Sequence, residues 1–139
     1  MINGAECEPY ITSDTRTMLD RADDIKEGIE LLEKYLGAGT IIFGIEKNKP
    51  EAIAKMKEIT SGDSAVSVKE LPSIYPQGGE KVLIYNLTGK VVPEGKLPLE
   101  VGCIVINVTT LASIAKYIRT GMPLVEKCLT VDGSAVASP

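Results

Sequence analysis

The sequence predicts an α/β fold, a mainly parallel sheet flanked by helices, and two observations predict it. Strand-like runs alternate with amphipathic stretches of helical period, at a spacing that suits helical crossovers. The runs at 40–45 and 103–108 are continuously apolar, as strands of a parallel sheet are when both faces are covered. At 139 residues the chain is one domain.

The elements follow in order. Residues 1–3 read as the end of a strand. Thr12, Ser13 and Asp14 offer caps for a short helix reaching about Leu19. Residues 22–36 form a stronger helix, with Ala22, Ile25, Ile29, Leu32 and Tyr35 on one stripe and charged residues around it. Gly37 stops it. The run 40–45 is a buried strand. Pro50 suits the first turn of the next helix, whose inner face is Ala52, Ile53, Met56 and Ile59. Residues 65–69 alternate, as a half-buried strand does. A loop at 75–80 leads into a helix to about Leu87, and 90–102 is a loop rich in Pro and Gly. The run 103–108 is a second buried strand. Thr109 or Thr110 can cap a helix with Leu111, Ile114, Ala115 and Ile118 inside. Residues 124–131 read as one more strand, 132–133 as a turn, and 134–139 as a tail without a packing pattern.

Composition excludes several classes of function. The core is aliphatic, since the chain has one Phe, five Tyr and no Trp. Net charge is −4 and the basic residues are dispersed, which leaves no footprint for nucleic acid. No apolar run reaches the roughly 20 residues needed to span a bilayer, so no direct membrane insertion is expected. Cys7, Cys103 and Cys128 are far apart and form no C-x-x-C pair, so neither zinc nor iron–sulfur ligation is expected from this chain. With no His, Ser-His and Cys-His catalysis are excluded within it.

Ligands of parallel sheets bind beyond the C-terminal strand ends. Three polar loops are candidates there: the one after Asn3, the one at 75–80, and the one after Ile106. In the first, Asn3-Gly4-Ala5-Glu6-Cys7-Glu8-Pro9 joins small residues that allow close backbone approach to an amide and two carboxylates. By itself, without the other loops, it reads sooner as a turn with solvated acids. Gly78-Gly79-Glu80 stands at a loop-to-helix junction, where free N–H groups favour an anion. It matches no phosphate-loop pattern and is equally a flexible cap segment. Asn107 ends a β-branched run and, taken alone, is more often a strand-end turn former. Cys103 and Cys128 read as core residues. Cys7, between two acids, is not expected to be a nucleophile. The expectation is that the three loops crowd around one cleft.

Together these segments, with Asn48-Lys49-Pro50-Glu51-Ala52, Tyr75-Pro76-Gln77-Gly78-Gly79-Glu80-Lys81 and Ile106-Asn107-Val108, resemble the C subunit of the Rnf-type electron transport complex. That complex couples electron transfer between ferredoxin and NAD to ion translocation. They are also similar to the flavin-binding part of the 51-kilodalton NADH subunit of respiratory complex I. The resemblance covers nearly the whole chain. It implies a Rossmann-like FMN-binding domain working with NAD(H), inside an NAD-linked oxidoreductase.

The family's first motif, Asn-Ala-Asp-Glu-Ser-Glu-Pro, lines the flavin with its Asn, Asp, Glu and Ser, which match Asn3, Ala5, Glu6 and Cys7. Ala5 has lost a carboxylate and is at most a backbone contact. The family's Tyr-x-x-Gly-Glu-Glu matches Tyr75, Gly78, Gly79 and Glu80, with Gly79 in place of the first Glu. Glu80 is the expected carboxylate beside the nicotinamide and flavin rings. Of two family Asn near the flavin phosphate, Ile106 replaces the first and Asn107 keeps the second; Thr110 matches a nearby Thr.

The resemblance further implies a central fragment. Residues 1–133 would be the FMN/NADH-binding part, and 134–139 would lead toward a β-grasp module. A glycine-rich phosphate loop would precede the chain, and a segment holding two 4Fe-4S clusters would follow it. The fragment itself is then soluble, inactive and weak or null for FMN. The whole subunit is expected at the cytoplasmic face of the bacterial inner membrane, held there by other subunits of the complex, with NADH as partner and ferredoxin reached indirectly. Two other readings remain: a docking module that kept the fold without flavin, and the cobalamin reductase of propanediol-degrading microcompartments.

Overall fold

The computed structural model describes residues 1–137. Four strands, β1 (Ile2–Gly4), β2 (Ile41–Glu46), β3 (Val66–Leu71) and β4 (Ile106–Asn107), form one sheet in the order β3-β2-β1-β4. Every pairing is parallel, with Ile2 opposite Phe43 and Ile106, and Phe43 opposite Val68. The helices are α1 (Ser13–Asp20), α2 (Ala22–Leu36), α3 (Pro50–Ile59), α4 (Glu80–Thr88) and α5 (Val108–Thr120), with a 3-10 turn at Pro98–Val101. The expected α/β layering stands.

Side-chain parity sorts β2 between two cores. Ile41, Phe43 and Ile45 join Ile2 and the apolar stripes of α1, α2, α3 and α5, including Met18, Ile25, Ile29, Met56 and Leu111. Each such side chain removed from water contributes about 2 kcal/mol. The other face is covered by α4, through Leu83 and Leu87 packed on Ala5 and Leu71. Gly44 permits this approach: a Cβ there would lie 2.7 Å from Leu83 Cδ1 and 3.0 Å from Leu71 Cδ1. Ile84, Val92 and Cys103 close that side.

Two expected strands differ. The run 103–108 is strand only at Ile106–Asn107, because its one partner is β1, which offers Ile2 and Asn3. Cys103 instead donates its N–H to Pro98, closing the 3-10 turn. The run 124–131 forms no strand. It lies along α1 and α5, away from any strand edge, where Thr130 Oγ1 accepts from the Thr12 N–H at 3.0 Å and Lys116 pairs with Glu126 at 2.9 Å. Leu124, Val125, Leu129 and Val131 stay exposed. Of the tail, residues 138 and 139 lie outside the described residues.

Candidate functional site at the C-terminal rim of the sheet

Because all strands run one way, their C-terminal ends share one rim. The order β3-β2-β1-β4 reverses direction at β1 and β4, and such a reversal opens a crevice where two crossovers part. Asn3 and Asn107 stand opposite each other in register at that point. The opening segment meets each of the other two loops at this rim, the 75–80 loop through Asn3 and the β4–α5 junction through the Asn3–Asn107 pairing and Asp14, but the open cleft there is lined by the first two and not by the β4–α5 junction.

Asn3 Oδ1 accepts the Ala5 N–H at 3.1 Å, and its Nδ2 donates to the Gly78 carbonyl at 3.0 Å. The amide oxygen therefore closes the opening turn on itself, and the amide nitrogen staples that turn to the 75–80 loop. Gly78 fits because it has no Cβ, which would come 2.5 Å from the Ala5 carbonyl oxygen and 3.4 Å from Cys7 Sγ. Ala5 is buried and faces α4, while Cys7 is half-buried at the rim.

Glu6, 8 % exposed, caps α1. Its carboxylate accepts the Asp14 and Thr15 N–H groups at 2.8 and 3.3 Å, and the Ser13 and Thr15 hydroxyls at 3.3 and 2.8 Å. Lys49 Nζ lies 3.6 Å away as counter-charge. The Thr12, Ser13 and Asp14 side chains were expected to cap this helix; none does so, because a carboxylate from six residues upstream reaches its free N–H groups first.

Gln77 is fully buried and sets the next loop. Its Nε2 donates to the Pro72 carbonyl at 2.9 Å, and its Oε1 accepts from Asn86 Nδ2 at 2.5 Å. Gly79 is the N-cap of α4 and supplies no side-chain cap, so the first N–H groups of that helix face outward beside Glu80. Glu80 is exposed at that end, and Tyr75 is 78 % exposed.

Asn107 caps α5, its Oδ1 accepting from the Thr109 and Thr110 N–H groups at 2.8 and 3.3 Å. Neither Thr109 nor Thr110 caps as expected, since Asn107 in extended conformation directly precedes the helix. Its Nδ2 donates to Asp14 Oδ2 at 2.8 Å, and Asp14 Oδ1 accepts from the Thr109 hydroxyl at 2.7 Å. Thr109 Oγ1 lies 2.9 Å from Thr17 Oγ1. Thr110 is exposed, and Ile106 faces the opposite edge of the sheet.

What remains open to a ligand is a cleft of about 360 Å³ beyond β1, β2 and β3, lined by Cys7, Glu46, Asn48, Lys49, Ser73 and Tyr75 among others. Glu46 ends β2 and is 3 % exposed. Burial pushes its carboxyl above the ordinary glutamate range; Lys49 opposes that and Glu6 adds to it. A larger cavity, about 600 Å³, opens at the other end of the strands beside Leu36, Ala38, Lys90 and Ile104, and Ile106 alone of the motif residues reaches it. The rim is the better candidate, because the polar side chains gather there.

Sequence reasoning missed Asp14, Thr109, Gln77 and Glu46 as parts of the site. Glu46 carried one available signal: a carboxylate directly ending an apolar run that points its C-terminus at the other motifs. Among the described residues no three His, Cys, Asp or Glu side chains gather as a metal site, and no helix is long and apolar enough to cross a membrane.

A family model described as the Nuo51 FMN-binding domain matches residues 1–116. Over all 139 residues the chain is 45 % identical to the C subunit of the proton-translocating ferredoxin:NAD(+) oxidoreductase complex of Clostridium ljungdahlii, and spans 30 % of that protein's length. The match to the family model takes in the opening turn, the 75–80 loop and the β4–α5 junction together, and on it the chain belongs to the Nuo51 FMN-binding domain family.

Proposed function

We propose that this chain is the flavin-binding domain of a larger subunit that passes electrons between NAD(H) and iron–sulfur clusters in a membrane-associated ferredoxin:NAD oxidoreductase complex. The observation that carries the reading is the meeting of the opening turn, the 75–80 loop and the β4–α5 junction at the C-terminal rim, where the sheet order reverses. The identity to the Clostridium ljungdahlii protein, a subunit of a ferredoxin:NAD(+) oxidoreductase complex, supports NAD(H), ferredoxin and the other subunits as partners; two 4Fe-4S clusters elsewhere in the subunit and a place at the cytoplasmic face of the membrane are the rest of the proposal.

The residues present fit part of FMN. Tyr75 offers an exposed ring for a planar ligand, the uncapped start of α4 offers N–H groups to a negative or carbonyl oxygen, and Glu46 offers a carboxylate without a partner. The phosphate is less well served: no glycine-rich phosphate loop occurs in these residues, and the α5 N–H groups are already taken by Asn107. When bound, FMN supplies two-electron hydride chemistry on one side and single-electron transfer on the other. The chain's share is orientation and field. Glu80 at the head of α4 sets negative charge beside the rings, and Asn3, Glu6 and Asn107 hold the loops that shape the cleft. No side chain has to move a proton for hydride transfer itself.

The expected outcome is weak binding by these residues alone: FMN added to the purified chain loses little fluorescence and shifts the melting temperature little. Saturable quenching at equimolar FMN would overturn that part of the reading. In the longer subunit, Glu80→Gln lowers NADH oxidation more than FMN content, and unchanged turnover would remove Glu80 from the site.

A second reading, a docking module that kept the fold without flavin, draws on one observation. Asn3, Glu6 and Asn107 all spend their polar atoms within the chain. A colourless full-length subunit would favour it. The microcompartment cobalamin reductase has no such feature on its side.

A further inference from the structure

Glu46 differs from Glu6 and Asp14, the other acids at the rim that are shielded from solvent. Glu6 accepts four hydrogen bonds and Asp14 two, whereas the Glu46 carboxylate forms neither a hydrogen bond nor an ion pair among the described residues. It is nonetheless 3 % exposed, and the little that is open faces the cleft. No buried side-chain oxygen or nitrogen among the described residues lacks a partner, so the small opening at Glu46 lies at its carboxylate oxygens, and a ligand entering the cleft would meet them directly and has to replace the water there with hydrogen-bond donors.

The surroundings restrict what that partner can be. An added anion would meet Glu46 and Glu8, with Lys49 already facing Glu6. A metal ion would find one free carboxylate next to an ammonium group. An apolar ligand would leave the carboxylate buried and unsatisfied. Neutral hydroxyl or amide donors remain, and two neighbouring hydroxyls match a carboxylate's two oxygens. The end of the second strand is also where parallel dinucleotide-binding sheets place an acid for ribose hydroxyls.

We propose that Glu46 is a ligand-binding residue that accepts hydrogen bonds from the hydroxyls of a polyol chain entering the cleft between β2, Lys49 and Tyr75. Both cofactors of the reading above carry such a chain, the ribityl arm of a flavin and the ribose of a nicotinamide nucleotide, and the proposal rests on that reading for its choice of ligands.

The test follows the 13C-carboxyl resonance of Glu46, assigned as the one missing in Glu46→Gln, while ribitol, FMN, NADH or lumiflavin (the flavin ring without the ribityl arm) is added to the chain. Ribitol and one of the two nucleotides move it saturably, and lumiflavin does not. Movement with FMN and not NADH identifies the ribityl arm; the reverse identifies ribose. Glu46→Leu weakens the active nucleotide at least about tenfold. Glu46→Gln, which keeps the shape and removes the charge, melts as cooperatively as the parent and binds with intermediate strength. A resonance unmoved by every polyol, or unchanged affinity in Glu46→Leu, overturns the proposal. FMN that shifts Gly78 and Tyr75 but not Glu46 overturns it while the flavin reading stands. Ribitol binding at Glu46 with no response to FMN or NADH anywhere upholds the polyol site and removes the flavin reading.

Discussion

Glu6 shows how a residue can belong to a binding motif and still work for the scaffold. It satisfies two N–H groups and two hydroxyls at the start of α1, beside Lys49. Glu6→Ala is expected to cost about 2–3 kcal/mol, read as a lower urea midpoint, since it orphans several donors at once; a loss no larger than that of an exposed Glu→Ala would contradict the capping role. Glu46 acts in the opposite sense. Burial raises its titration midpoint in the folded chain, so folding favours the protonated form. Stability therefore falls as pH rises from the ordinary glutamate range, about 4.3, through the higher folded midpoint. Glu46→Gln removes that fall, and urea midpoints measured across the interval should flatten in the variant. An identical pH slope in the two proteins would mean that burial does not disfavour the charge. The sequence marked Asn3, Glu6, Gly78 and Asn107 as special, but not what each holds. A capping carboxylate, a stapling amide and a ligand contact use the same atoms, and only coordinates say which partner arrives first. Glu46 was hidden because nothing local separates a strand-ending acid that faces a cleft from one that faces water.

At the scale of elements, the site is a set of junctions. The opening turn is tied to the loop before α4 by Asn3 and Gly78, and α1 to α5 by Asp14 and Thr109. Gly78→Ala would drive a methyl group toward the Ala5 carbonyl, and is expected to cost about 2 kcal/mol and to loosen residues 75–79 first. Faster hydrogen exchange confined to that loop would report it, and unchanged exchange would mean that the contact can relax freely. On the far side, Asp24 of α2 pairs with Arg21 at 2.9 Å and with Arg119 of α5 at 2.7 Å. Burial alone would raise its midpoint, but the hydrogen bonds from Arg119 and Arg21 outweigh it and hold the carboxyl below the usual range. Its contribution is thus present above the unfolded midpoint, near 3.9, and lost as pH falls through the lower folded one. Asp24→Asn should lower stability at neutral pH by about 1 kcal/mol, allowing for partial solvent screening, and match the parent in strong acid. Helix boundaries were the most legible elements, since α2 and α3 announce themselves by an apolar stripe and, in α3, by Pro50 at the first turn. Strand ends were less so. The length of β4 is set by its neighbour β1, which its own apolar run cannot reveal.

For the whole molecule, the parallel sheet does most of the functional work by gathering the ends of all four strands on one rim. Alternating patterns made that architecture readable from the sequence. They misplaced residues 124–131, whose apolar content suits a strand but whose course along α1 and α5 leaves it no partner edge. The chain covers 30 % of the length of its Clostridium ljungdahlii relative, so the rim is one wall of a larger assembly in the reading proposed above. That reading has a central claim: flavin lies at the rim and not in the larger cavity at the opposite edge. Backbone amide shifts of 15N-labelled chain, recorded as FMN is added, test it most directly. Movement is expected to concentrate at residues 6–8, 46–49 and 73–80, in fast exchange because binding is weak. Movement gathered at residues 37–40, Lys90 and Gly102, or none at any FMN concentration, would contradict it.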